Sequence, residues 1–151
     1  MVTELLLLRA EEADDLPLLS ACTQDMAIRA ADIGWLPRQR QLVLLGNRFR
    51  WENATRGPKH GGDTSRVRSA LRFDFVTAVQ RRQWPADPDA VLALLAITFD
   101  DEDSGEDSGD ALLLSFAGGA ALRLTQEVLE LTLEDLSGPW GARAIPDHDE
   151  A

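Results

Sequence analysis

Few residues in this 151-residue chain could do chemistry, and their positions argue against a reactive centre. His60 falls in a glycine-rich stretch and His148 falls near the C-terminus, so neither is on a rigid element that could hold catalytic geometry. Cys22, the only cysteine, falls on the inner stripe of a predicted helix, and no histidine is placed to activate it. We predict no catalytic residue and no cofactor; enzyme activity stays open, with the sequence leaning against it.

The acidic run over 100–110 is the only segment that invites a metal. Read as a calcium-binding EF-hand loop, it has Glu102 at the third position and Gly105 at the sixth. The twelfth position is Ala111, where the template needs a bidentate glutamate. A single cysteine also excludes a four-cysteine zinc site. We therefore predict a solvated acidic loop and no metal site.

Arginines are the residues best suited to recognition. The segment 38–82 holds eleven basic and three acidic residues, which gives it a local charge of +8. The rest of the chain has a charge of −19, so the net charge is −11. Alternation along two predicted strands, 42–52 and 66–82, puts five arginines on the faces turned away from the core. They are Arg48, Arg50, Arg66, Arg68 and Arg72. Paired across the loop 53–65, the two strands would make one basic face that suits carboxylates or phosphates.

The opposite faces of the same strands are predicted to form the core. In the first strand they carry Val43, Leu45, Asn47, Phe49 and Trp51, and in the second Val67, Leu71, Phe73 and Phe75. The aromatic residues are therefore expected on the core side, where they cannot stack nucleic-acid bases. Together with the large acidic excess, this makes nucleic acid an unfavoured partner.

Trp84 is a second candidate for contact with a partner. It precedes Pro85 at the end of a predicted strand and follows Arg81 and Arg82 closely. An exposed tryptophan beside arginines is a typical interface anchor. The alternative is partial burial of the side chain beneath a loop.

The elements that must position these residues follow from periodicity. Strands are predicted over 5–9, 26–36, 42–52, 66–82, 91–99, 112–116 and 120–125, and a helix over 13–24. A last helix is predicted to begin near Thr125, because Leu129, Leu133, Leu136 and Trp140 recur at helical spacing.

This order predicts an α+β fold: a bent antiparallel sheet of about seven strands, with an N-terminal helix and a C-terminal capping helix. The count matches a pleckstrin-homology-like barrel, and a two-layer α+β sandwich is the alternative. We predict one domain over residues 1–142 and a frayed tail over 143–151. The chain has no apolar run of membrane-spanning length and no signal-peptide pattern, which predicts a cytoplasmic protein without membrane contact. The oligomeric state is not predicted.

Several short motifs resemble one protein family. They are Leu36-Pro37, the segment 47–52 (Asn-Arg-Phe-Arg-Trp-Glu), the segment 70–73 (Ala-Leu-Arg-Phe), the segment 116–120 (Phe-Ala-Gly-Gly-Ala) and the segment 122–124 (Leu-Arg-Leu). With these motifs the chain resembles an uncharacterised bacterial family, domain of unknown function 2948. The resemblance implies a bacterial cytoplasmic protein. It implies no catalytic residues, because the family has no assigned activity.

The leading hypothesis from the sequence is a non-enzymatic interaction module whose arginine-rich sheet face docks an acidic protein. One alternative is an enzyme or regulatory protein that binds a small anionic ligand at the same face. Nucleic-acid binding is a further alternative, and so is simple neutralisation of the arginines by the acidic remainder of the chain.

Overall fold

The computed structural model describes residues 5–50, 66–100 and 110–136, which fold mainly as antiparallel β-sheet. Within these residues there is one α-helix, α1 (Leu16–Cys22), preceded by a 3-10 turn. The strands are β1 (Leu7–Ala10), β2 (Met26–Arg29), β3 (Ile33–Leu36), β4 (Gln41–Phe49), β5 (Arg66–Phe73), β6 (Val76–Arg82), β7 (Val91–Phe99), β8 (Asp110–Phe116), β9 (Ala121–Gln126) and β10 (Leu131–Asp135).

Two corners bend this sheet around its core. Hydrogen-bonded neighbours follow the order β1-β10-β5-β4-β2-β7-β8-β9-β6, with β3 also pairing β4. The strand predicted over 66–82 is divided into β5 and β6 at Phe75, whose φ is 58°. Here the Asp74 amide donates to the Glu130 carbonyl at 3.0 Å, and the Glu127 amide donates to the Phe75 carbonyl at 2.9 Å. The corner between β5 and β6 is thus bonded to the corner between β9 and β10.

Helix α1 covers part of one strand edge. Leu16, Leu19 and Cys22 are buried on one side of it, as their spacing predicts. β2 pairs with only the first half of β7. Beyond that point the Ile97 amide donates to Ser20 Oγ of α1 at 3.0 Å. The helix therefore supplies a hydrogen-bond acceptor where the neighbouring strand has ended.

A close approach of β2 to β4 requires glycine at position 46. A Cβ atom on Gly46 would overlap the Ala27 carbonyl oxygen and lie 2.7 Å from Ile28 Cγ1. The backbones of β2 and β4 can therefore meet here only without a side chain.

The predicted C-terminal helix is wrong. Where it was expected to begin, the chain completes β9, and β10 follows at Leu131–Asp135. Leu131, Leu133 and Asp135 are buried on one face of the strand, while Thr132, also buried, and the exposed Glu134 are on the other face. This period of two satisfies the core as well as the helical spacing would. These residues form a strand rather than a helix because they pair with β1 on one side and with β5 on the other.

Because the C-terminal helix is absent from the described residues, the predicted fold class is wrong as well. The described residues contain ten strands rather than about seven and no C-terminal capping helix, so the strand count no longer supports a pleckstrin-homology-like barrel. A single α-helix of seven residues cannot form the helical layer of a two-layer α+β sandwich either. The architecture is instead a bent, mostly antiparallel sheet with one short helix.

Some predictions fall outside the described residues. These are the loop over 53–65, nearly all of the acidic run, the tail over 143–151, and the side chains of Trp51, His60, Trp140 and His148. Within the described ranges, no helix has the length and apolar character needed to cross a membrane.

Candidate protein-interaction surface

The register of β4 with β5 gives this strand pair two distinct faces. Leu44 pairs with Leu71, and Asn47 pairs with Arg68. The inner face of the pair consists of Leu42, Leu44, Gly46, Arg48, Val67, Ser69, Leu71 and Phe73, all of them buried. The prediction for the second strand is confirmed for Val67, Leu71 and Phe73 but wrong for Phe75, which lies beyond β5 and is exposed. The prediction for β4 had its two faces exchanged.

Arg48 belongs to the interior and not to a surface. Its side chain is fully buried, and its Nε and Nη2 donate to Asp135 Oδ1 and Oδ2, both at 2.8 Å. The geometry is a bidentate pairing of a guanidinium with a carboxylate. Nη1 donates to the Phe49 carbonyl at 2.9 Å. Arg48 is thus removed from the predicted binding face, because a buried ion pair cannot contact a partner.

Asp135 gathers further donors around the same carboxylate. Ser69 Oγ donates to Oδ1 at 2.7 Å, and the Leu6 amide donates to Oδ2 at 2.9 Å. Burial by itself would raise the pKa of Asp135. The hydrogen bonds from Arg48, Leu6 and Ser69, together with the charge of Arg48, outweigh burial and lower the pKa below its usual value. The carboxylate is therefore ionised in the folded protein at neutral pH.

Sequence reasoning missed Asp135 because it fell inside the predicted C-terminal helix. The usable signal was the alternation of Leu131, Leu133 and Asp135, which places the carboxylate on the face shared by two leucines. A charged residue at such a position calls for a buried partner of opposite charge. Arg48 is that partner.

The outer face of the same strand pair carries the arginines of β5. Arg66 is exposed, and its guanidinium carbon lies 3.9 Å from the centroid of the Phe49 ring. This is a cation–π contact between cross-strand partners. The phenyl ring, expected in the core, instead lies half-buried on the outside and supports a cationic group.

Arg68 and Arg72 continue this face along β5. Arg68 Nη2 lies 4.0 Å from Asp32 Oδ2, and its side chain is 17% exposed. Its Nε is buried with no hydrogen-bond partner among the described residues. Arg72 Nε donates to Asp74 Oδ2 at 3.1 Å. Both arginines are therefore close to a carboxylate at the protein surface.

β10 and β1 add one arginine that sequence reasoning missed. Arg72 pairs with Thr132, and Thr132 pairs with Arg9, so the three side chains form one row across the outer face. Arg9 is exposed, with its Nη1 3.9 Å from Glu11. No signal in the sequence shows that β1 and β5 are both neighbours of β10. We call Arg9, Arg66, Arg68 and Arg72 the outer arginine face.

Arg50 does not continue this row. It follows β4 directly and is half-buried. Because it is two residues after Arg48, it continues the inner side of the strand and not the outer face. Of the five arginines predicted to share a face, the structure brings together Arg66, Arg68 and Arg72.

Trp84 is half-buried rather than exposed. Its ring meets Phe116 edge to face, with centroids 5.7 Å apart at 84°. With Trp35 and Val79 it lines a cavity of about 50 Å³ between β3 and β6. The structure thus shows partial burial, the alternative to an exposed anchor.

The remaining candidate residues form no reactive cluster within the described residues. Cys22 is buried in the core. Asp100, the one described residue of the acidic run with a described side chain, accepts from Arg123 Nε at 2.7 Å. Across the described ranges, no three His, Cys, Asp or Glu side chains are placed to hold a metal ion.

The fold and the surface together define a small antiparallel-sheet protein with an arginine-bearing outer face. A family model for proteins of unknown function matches residues 6–148. The chain belongs to that family, DUF2948, as its short motifs indicated. No curated protein and no solved structure is significantly similar to it.

Proposed function

We propose that this protein is a non-enzymatic interaction module that docks an acidic protein surface on its outer arginine face. The observation that carries the proposal is the position of Arg66, Arg68 and Arg72 on one face of a single strand, with Arg66 stacked over Phe49. Arginine and aromatic residues are enriched at protein interfaces and dominate their hot spots. The proposal includes the cytoplasmic location expected from the sequence.

The charges around this face leave it suited to an acidic partner. Asp32 lies near Arg68 but also accepts from Arg29, and Asp74 is engaged by Arg72. Among the described residues, no carboxylate lies within 4.0 Å of the Arg66 guanidinium, whose hydrogen bond goes to the Asn47 carbonyl at 3.4 Å. A partner's carboxylate could therefore pair with Arg66 without displacing an ion pair among the described residues.

The apolar surroundings favour a protein over a free anion. Val43, Leu45 and Ala70 are half-buried on the same face as Phe49, and the Leu45–Ala70 pair lies between Arg68 and Arg72 along the strands. Apolar side chains bordered by arginines resemble the centre of a protein interface, where water is excluded around a few strong contacts. The net charge of −11 disfavours a long phosphate backbone.

The test is capture of proteins from a bacterial lysate by the immobilised protein, with and without nuclease. Wild type is compared with the double variant Arg66→Glu, Arg72→Glu, because these are the most exposed arginines of β5. Arg82→Glu, an exposed arginine of β6 in another part of the sheet, is the matched control. Unfolding curves establish that all three proteins are folded.

We expect wild type and Arg82→Glu to capture an acidic protein. The double variant should bind that protein at least about thirtyfold more weakly, because hot-spot residues contribute about 2 kcal/mol or more. The affinity is then measured with the purified partner. Equal affinity for the double variant would contradict the proposal. Capture that nuclease abolishes would contradict it as well, and would indicate nucleic-acid binding instead.

A further inference from the structure

A second basic site lies on the outer surface of the other half of the sheet. β6, β9 and β8 are neighbours there, and Gln80, Arg123 and Leu113 form one cross-strand row. Arg82 and Ala121 form the next row. The rows border a hollow of about 430 Å³, lined by Gln80, Arg81, Arg82, Leu113, Ala121 and Arg123.

The hollow is cationic. Three of its lining side chains are guanidinium groups, and no carboxylate is among the described residues that line it. A hollow of similar size at the sheet corner, about 450 Å³, is different because Asp74, Glu127 and Glu130 line it beside its arginines. In that corner, Arg40 Nη1 donates to Glu127 Oε1 at 2.7 Å. Of the two hollows, only the one on β6 and β9 has an excess of positive charge with no acidic residue in its described lining.

Two of the three arginines are held in place by the fold. Arg123 Nε donates to Asp100 Oδ2 at 2.7 Å, and the two side chains are 17% and 6% exposed. The guanidinium carbon of Arg81 lies 5.7 Å from the centroid of the Trp84 ring. Such contacts reduce the conformational entropy that the side chains lose on binding a ligand. Arg82 is exposed at the end of β6.

We propose that this hollow binds a small phosphate monoester. A phosphate carries about two negative charges at neutral pH and matches several guanidinium groups better than a single carboxylate does. The side-chain amide of Gln80 can donate a further hydrogen bond. Leu113 and Ala121 are the apolar residues of the lining, and the organic part of an ester packs against them. The site is separate from the outer arginine face and does not depend on its function.

The experiment is calorimetric titration of the full chain with phenyl phosphate, inorganic phosphate and benzoate at constant ionic strength. We expect saturable binding of phenyl phosphate, with the other two ligands at least about tenfold weaker. Arg82→Gln removes one charge-assisted contact and lowers the affinity for phenyl phosphate about tenfold. Arg66→Gln, on the outer arginine face, is the control and leaves the affinity unchanged.

Arg82 is chosen because it is exposed, so its replacement leaves the fold intact; an unfolding curve checks this. The absence of saturable binding to wild type would overturn the proposal, as would an Arg82→Gln variant that binds like wild type. Inorganic phosphate binding as tightly as phenyl phosphate would overturn the assignment of an ester. Equally tight binding of benzoate would overturn the assignment of a phosphate.

Discussion

The two faces of the β4–β5 pair use the same residue type in opposite ways. On the inner face, Arg48 is fully buried and holds Asp135 through two hydrogen bonds of 2.8 Å. On the outer face, Arg66 is exposed and lies over an aromatic ring. Burial and the nearest carboxylate, rather than the identity of the residue, therefore decide whether an arginine serves the fold or faces a partner.

The energetic consequences of the two arrangements differ. Removing one member of a buried ion pair leaves an uncompensated charge in the interior, which costs about 3–5 kcal/mol. Exposed ion pairs contribute about 0–1 kcal/mol, because solvent screens them and the side chains lose entropy. Substitutions on the inner face should therefore act on the free energy of unfolding, and those on the outer face should act on binding.

The largest effect is expected for Asp135→Asn. The substitution leaves Arg48 charged and buried without its counter-ion, so we expect the free energy of unfolding to fall by about 3–5 kcal/mol. Glu134→Gln is the matched control, because Glu134 is the adjacent residue, exposed on the opposite face of β10. Its change should stay within about 0.5 kcal/mol. Urea unfolding measures both, and similar losses for the two variants would contradict a buried ion pair between Asp135 and Arg48.

A change of pH should have a smaller effect on the free energy of unfolding, and its direction follows from the pKa of Asp135. The pKa of Asp135 is lower in the folded protein than in the unfolded chain, where an aspartate has a pKa of about 3.9. The carboxylate therefore contributes stability above that value, and the contribution is lost as the pH falls through the folded-state pKa. The stability difference between wild type and Asp135→Asn should be largest near neutral pH and shrink below about pH 4. A difference that stays constant down to pH 2.5 would show that folding does not lower the pKa of Asp135.

The sequence predicted the faces of β5 because Val67, Leu71 and Phe73 alternate with charged side chains. β4 offered no such contrast, since the residues 42–45 are all apolar and fit either face. The aromatic residues at its far end then favoured the wrong parity. Phe49 instead lies on the outside, opposite its cross-strand partner Arg66, and no local pattern reveals this tertiary contact.

The same limitation explains the error at the C-terminal end. Leu129, Leu133 and Leu136 fit a helix, while Leu131, Leu133 and Asp135 fit a strand. What decides between them is the space between β1 and β5, which β10 fills. The partner of Arg48 lies 87 residues away along the chain, so neither the ion pair nor the burial of Arg48 could be predicted from local spacing.

The most direct test compares Arg48→Gln with Arg66→Gln, the same substitution on the two faces of one strand pair. The measurement is the free energy of urea unfolding at neutral pH. We expect a loss of about 3–5 kcal/mol for Arg48→Gln, which leaves the Asp135 carboxylate buried without its counter-ion. For Arg66→Gln, which loses one exposed cation–π contact, we expect a loss of no more than about 1 kcal/mol. Equal losses for the two variants would contradict the division of the strand pair into a structural inner face and an outer face available to partners.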